Sequence, residues 1–95
     1  MAWTVKVQTE VGASVEHDFD VPFDSVPHGT QFPISNSIAR YYDTILNPPQ
    51  LETFVSEWDK AAATPEFAHL RAFRLLRDAA DSAARRQLYM RFVGD

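Results

Sequence analysis

The chain reads as a small α+β domain in which an N-terminal antiparallel β-hairpin packs on three or four α-helices. Three observations predict this class. Apolar and polar residues alternate with period two over positions 1–21, apolar residues recur at three- and four-residue spacing in the later part, and a stretch with three prolines and a glycine separates the two regimes. The 95 residues form a single domain, 1–95, long enough to bury a modest core without metal or disulfide support. Its parts are a hairpin (1–21), an irregular loop (22–37) and a helical part (38–93).

The hairpin follows from Trp3, Val5, Val7, Thr9 and Val11 alternating with Thr4, Lys6, Gln8 and Glu10, and from Val15, His17, Phe19 and Val21 alternating with Glu16, Asp18 and Asp20. A three-residue turn at Gly12, Ala13 and Ser14 sets Val11 opposite Val15, Val7 opposite Phe19 and Val5 opposite Val21, with every apolar residue on one face. The other face then carries Glu10, Glu16 and Asp18 with no cation nearby in the sequence, a cluster suited to a basic partner or to a hard cation such as calcium. A two-stranded hairpin is marginal by itself, so helices are expected to cover its apolar side.

The loop at 22–37 holds Phe23, Phe32 and Ile34, apolar enough to pin it to the core. A first helix is expected from about residue 38, capped by Ser35, Asn36 or Ser37. It carries Ile38, Tyr41, Tyr42, Ile45 and Leu46 and is ended by Asn47, Pro48 and Pro49. Tyr41 and Tyr42 are neighbours and cannot both point inward, which leaves one hydroxyl exposed. A second helix, 50–63, buries Leu51, Phe54, Val55, Trp58 and Ala62.

Residues 64–93 form the longest run without a helix breaker and open with Thr64, Pro65 and Glu66, a cap followed by a first turn matched to the helix dipole. Ala72, Phe73, Leu76, Ala79, Ala80 and Ala83 fall on one side of such a helix, whereas Phe67, Leu70, Leu88 and Phe92 fall opposite. At about 1.5 Å per residue a straight helix here would run roughly 40 Å, longer than the diameter of about 30 Å of a compact chain of this size. The C-terminal helix is therefore either long, with its far side covered by another chain, or broken near 78–82. The first form predicts a homodimer through this helix, with Phe67, Leu88, Tyr89 and Phe92 as contact residues.

Composition excludes several function classes. The chain has no cysteine, so disulfides, thiol catalysis and thiolate metal sites are absent. No apolar run approaches the roughly 18 residues of a membrane span, and the first residues lack a signal-peptide layout, so a cytoplasmic protein is expected. The net charge of −4 speaks against a general nucleic-acid binder. The charge is also segregated, with Lys6 alone against five acids in residues 1–30 and six arginines against four acids in residues 64–95. Arg71, Arg74 and Arg85 share one helical face and form a strip suited to carboxylates or phosphates.

Catalytic signals are missing. His17, His28 and His69 have no metal-ligand spacing, and in a strand His17 points away from both Glu16 and Asp18. Ser14, Ser25, Ser35 and Ser37 lie at turn and cap positions, and the three glycines build no phosphate loop. The expected function is thus a non-catalytic module that binds another protein, such as an inhibitor, immunity protein, assembly chaperone or accessory subunit, without cofactor or metal. Nucleic-acid binding through the arginine strip is the alternative. A small enzyme or ligand carrier, with a pocket between hairpin and helices, is the third reading.

Overall fold

The computed structural model describes residues 2–26, 32–39, 41–63 and 71–94. The alternating N-terminal residues form β1 (Ala2–Gln8) and β2 (Phe19–Pro22), followed by a 3-10 turn (Phe23–Ser25) and a short helix α1 (Pro33–Ser37). Then come β3 (Thr44–Leu46), helix α2 (Pro48–Ala61), helix α3 (Arg71–Arg85) and β4 (Tyr89–Val93). The strands make one antiparallel sheet in the order β2-β1-β4-β3, so the first and last strands of the chain lie side by side at its centre. The α+β class holds, with a four-stranded sheet in place of an isolated hairpin.

One face of the sheet is apolar. Trp3, Val5, Val7, Val21, Leu46, Met90 and Phe92 are buried there with the inner faces of α2 (Leu51, Phe54, Trp58, Ala61) and α3 (Phe73, Leu76, Ala80, Ala83, Ala84). Rings connect the layers. Trp3 lies 6.1 Å from Phe92, Phe92 6.2 Å from Phe54, Phe54 4.7 Å from Trp58, and Trp58 stacks on Phe73 at 4.3 Å. Such ring pairs add about 0.5–1.5 kcal/mol each beyond the area they bury. No described helix is long and apolar enough to cross a membrane.

The hairpin register differs from the expected one by two residues, with Trp3 opposite Val21 and Val5 opposite Phe19. A shift of two preserves the faces. Near the turn, Gln8 bridges Ser14 and the Val15 N–H donates to the Val7 carbonyl, so residues 16, 17 and 18 all lie opposite Lys6. This bulge takes Val15 and His17 out to solvent. The tip is closed tightly. Thr9 N–H donates to Ala13 C=O, Gly12 N–H donates to Thr9 C=O, Ala13 N–H donates to Thr9 Oγ1, and Gly12 adopts the left-handed φ of 88°.

The helix expected at 38–46 does not form. Ile38 is extended at φ −72° and ψ 112°, and the Ala39 backbone is taken by side chains: its N–H donates to Thr44 Oγ1 (3.0 Å) and its C=O accepts from Trp3 Nε1 (2.7 Å). The β-branched pair Thr44 and Ile45 then enters the sheet beside β4. Helix formation occurs instead within the stretch expected as loop, where Pro33 occupies the first turn of α1. Likewise Pro48 and Pro49 open α2 rather than ending a preceding helix. Asn47 and Gln50 form a reciprocal capping box, with both hydrogen bonds at 2.9 Å.

The C-terminal stretch is neither one long helix nor a pair broken at 78–82. Helix α3 runs uninterrupted through that segment and stops at Arg85. Leu88 N–H donates to Ala83 C=O (2.8 Å) and Gln87 N–H to Ala84 C=O (3.2 Å), with Gln87 at φ 57°. This is the Schellman arrangement, which satisfies the final carbonyls of a helix and usually has glycine at the left-handed position. Residues 89–93 then alternate as a strand, with Met90 and Phe92 buried and Tyr89, Arg91 and Val93 partly exposed on the open face. The residues that looked like a second helical side are the inward row of β4 and the turn before it. Phe67 and Leu70 lie outside the described residues.

A buried carboxylate ties α1 to α2. Glu57, 6% exposed, accepts from the N–H groups of Ile34 (3.0 Å) and Ser35 (3.2 Å), and next to it Trp58 Nε1 donates to Ser35 Oγ (2.7 Å).

Two variants test these features. Gln87→Gly relieves the left-handed strain of a residue with a Cβ and is expected to stabilise the chain by about 0.5–1 kcal/mol. A lower urea midpoint would instead show that the Gln87 side-chain bond to the Ala84 carbonyl outweighs the strain. Glu57→Ala strands one buried and one part-buried N–H donor, those of Ser35 and Ile34, and is expected to cost roughly 2–4 kcal/mol. Amide exchange at Ile34 and Ser35 should rise first; unchanged protection there would contradict the role given to Glu57.

Candidate interaction surface

The expected surface residues separate into three places. On the hairpin, Glu10 is exposed at the tip beside Val11, whereas the other two acids have cations. Lys6 Nζ sits 2.6 Å from Asp18, and Arg86 pairs with Glu16. The cluster of Glu10, Glu16 and Asp18 is therefore largely neutralised within the chain. Its cations come from the facing strand and from the end of α3, the latter invisible to local sequence. The like-charged Lys6 and Arg91 are direct neighbours across β1 and β4. Asp18 and Asp43 offset the repulsion from either side, Asp43 by accepting from Arg91 Nε (2.9 Å) and Nη2.

On α3, Arg71, Arg74 and Arg85 are all exposed. Arg85 is held by Asp81 at 3.1 Å one turn back, whereas Arg71 and Arg74 meet no carboxylate within 4 Å among the described residues. Asp78, one turn on from Arg74, lies 3.5 Å from Arg77. Arg77 is the clip between the helices. It donates to both oxygens of Asp59 on α2 (3.0 and 3.2 Å), and this hydrogen bonding raises its pKa against the opposing effect of burial.

The C-terminal contact residues are placed differently from expectation. Phe92 is 0% exposed and Leu88 packs against the core, so both serve the chain's own interior, and Tyr89 is half-buried on the open face of β4. With α3 ending at Arg85, the double-sided helix on which a homodimer through this region depended does not form.

Three of the exposed large hydrophobic residues among those described lie where sequence reasoning placed helix. Tyr41 (68% exposed) and Tyr42 (76%) precede β3, and Ile45 (51%) lies within it, at one corner of the sheet. Their backbone is fixed from several sides. The Ala39 hydrogen bonds hold one end, the Asp43 to Arg91 pair and β3 hold the other, and Gly94 lies against the middle. A Cβ on Gly94 would come within 2.5 Å of the Tyr42 backbone N and O, so only glycine permits this approach. The signal available in the sequence was the adjacency of two tyrosines; the register that brings Gly94 to them was not.

Gly94→Ala is expected to push the Tyr41 and Tyr42 segment off the end of β4. It should cost about 1–3 kcal/mol and shift the Tyr41 and Tyr42 amide resonances while leaving α2 and α3 unchanged. A variant with native stability and spectra would show that the close approach is not needed.

Comparison of the chain with protein-family models, with curated proteins and with solved structures finds no match in any of the three.

Proposed function

We propose that the chain is a non-catalytic protein-binding module whose contact surface is centred on Tyr41, Tyr42 and Ile45. The observation that carries this reading is the exposure of three large side chains within five residues, Tyr41, Tyr42 and Ile45, on a backbone already pinned by Trp3, Thr44, Arg91 and Gly94. Tyrosine supplies large, amphipathic contact area at low entropic cost, and a pinned backbone has little freedom left to lose on binding. An inhibitor, immunity protein, assembly chaperone or accessory subunit works in this way, by surface complementarity without chemistry. Around the corner the cations Lys6 and Arg91 are already paired with acids, so the contact is driven by apolar and hydroxyl groups rather than by net charge.

The double variant Tyr41→Ala with Tyr42→Ala tests the reading. Both rings are exposed, so folding stability should change by less than about 1 kcal/mol. Stoichiometric capture of a protein from native lysate at moderate salt, after nuclease treatment, should fall at least tenfold. Capture equal to that of the unaltered chain would refute this surface, and recovery that depends on nucleic acid and on Arg71 and Arg74 would transfer the function to the arginine strip.

A further inference from the structure

We propose that the outer edge of β3 pairs with the β3 strand of a second copy of this chain, antiparallel about a two-fold axis at Ile45, so that two four-stranded sheets become one of eight strands. The inference rests on the reading of the Tyr41, Tyr42 and Ile45 corner as a protein contact and adds the identity of an occupant.

The two edges of the sheet are unlike. The β2 edge is guarded in the usual ways: Pro22 ends it, and Asp18 and Asp20 line it. The β3 edge has no charged residue in Thr44–Leu46, and the carboxylate next to it, Asp43, is already engaged by Arg91. What an edge strand lacks is a partner backbone with matching N–H and C=O spacing, so its natural occupant is another extended strand. The edge is also rigid at both ends, held by Thr44 Oγ1 at the Ala39 N–H and by the Asn47 capping box.

The sequence of this edge is self-complementary. Side chains directly opposite in an antiparallel pair share a face, so a two-fold axis must pass through a residue and not between two residues. Centred on Ile45, it sets the exposed Ile45 against its own copy, Thr44 against Leu46, and Asp43 against the Asn47 amide of the partner. No like charges meet. Centred on Thr44, it would set Asp43 against Ile45 and desolvate a carboxylate without return. The paired strands are only three residues long, so the contact falls below the roughly 1,200 Å² of stable complexes and the dimer is a weak one.

Sedimentation velocity over a concentration series, from low micromolar to near millimolar, should show a reversible shift from monomer to dimer. Ile45→Lys should abolish the shift, at a cost in folding stability below about 1 kcal/mol from the like charge of Arg91 opposite it. The chain has no cysteine, which allows a second, geometric measurement. Oxidised Ile45→Cys should form a symmetric disulfide dimer, since Cβ atoms directly opposite in such a pair lie about 4.5–5.5 Å apart, whereas the exposed Ser56→Cys on α2 should not. A chain monomeric at every concentration, a dimer that survives Ile45→Lys, or equal crosslinking at both cysteine positions would each overturn the inference. A monomer whose capture of another protein still needs Tyr41 and Tyr42 would overturn the second copy alone. A dimer whose capture ignores both tyrosines would leave the pairing standing and remove the proposed function.

Discussion

The structure depends on one run of rings. Trp3 on β1, Phe92 on β4, Phe54 and Trp58 on α2, and Phe73 on α3 form a continuous series through the centre of the chain. Four of the five are fully buried and Phe73 nearly so. Bulky rings at these positions hold both helices on one side of the sheet and leave the opposite side open. Because Trp3 and Phe92 are far apart in the sequence, the core is closed only by a long-range contact, whose loop-closure entropy must be offset by this burial.

The same rings organise the connections between elements through their polar atoms. A buried indole N–H needs an acceptor, and the two here find theirs in the irregular segment: Trp3 at the Ala39 carbonyl and Trp58 at the Ser35 hydroxyl. Glu57 adds a buried carboxylate to the same segment. Among the described residues no buried side-chain nitrogen or oxygen lacks a hydrogen-bond partner. The polar groups of the core thus fix where the segment between β2 and β3 may run, which in turn places Tyr41 and Tyr42 at the corner of the sheet.

Surface charge is mostly consumed inside the molecule. The acidic N-terminal part and the basic C-terminal part meet through Arg86 with Glu16, and Arg91 bonds Asp43 on the open face. Exposed pairs of this kind contribute little stability each, about 0–1 kcal/mol, but they remove charge from the surface that remains. Beside these pairs, Arg71 and Arg74 on α3 meet no described carboxylate, and the exposed tyrosine pair and Ile45 lie at the β3 edge, whose own residues carry no charge. That contrast between paired charge and presented rings is the feature on which the proposed binding role rests.

Local patterns determined the α+β class, the inward face of the N-terminal strands, the helix around Phe54 and Trp58, and the buried stripe of Phe73, Leu76, Ala80 and Ala83. Each rests on a period of two or of 3.6 that holds wherever the element packs. The exposed corner at Tyr41 and Tyr42 was legible only as two tyrosines that could not both turn inward. Three things were decided by tertiary structure. Residues 89–93 became the central strand β4 because pairing with β1 buries Met90 and Phe92 together, and the turn before them uses Gln87 where a glycine would have announced it. The stretch from Ile38 to Leu46 carried helical spacing, yet Ile38 is extended and Thr44 to Leu46 form a strand, because Trp3 and Thr44 hold the Ala39 backbone groups that a helix would have used. Gly94 came to Tyr42 only through the register of β3 on β4. In all three the choice was made by hydrogen bonds and burial between residues far apart in the chain, which no local window contains.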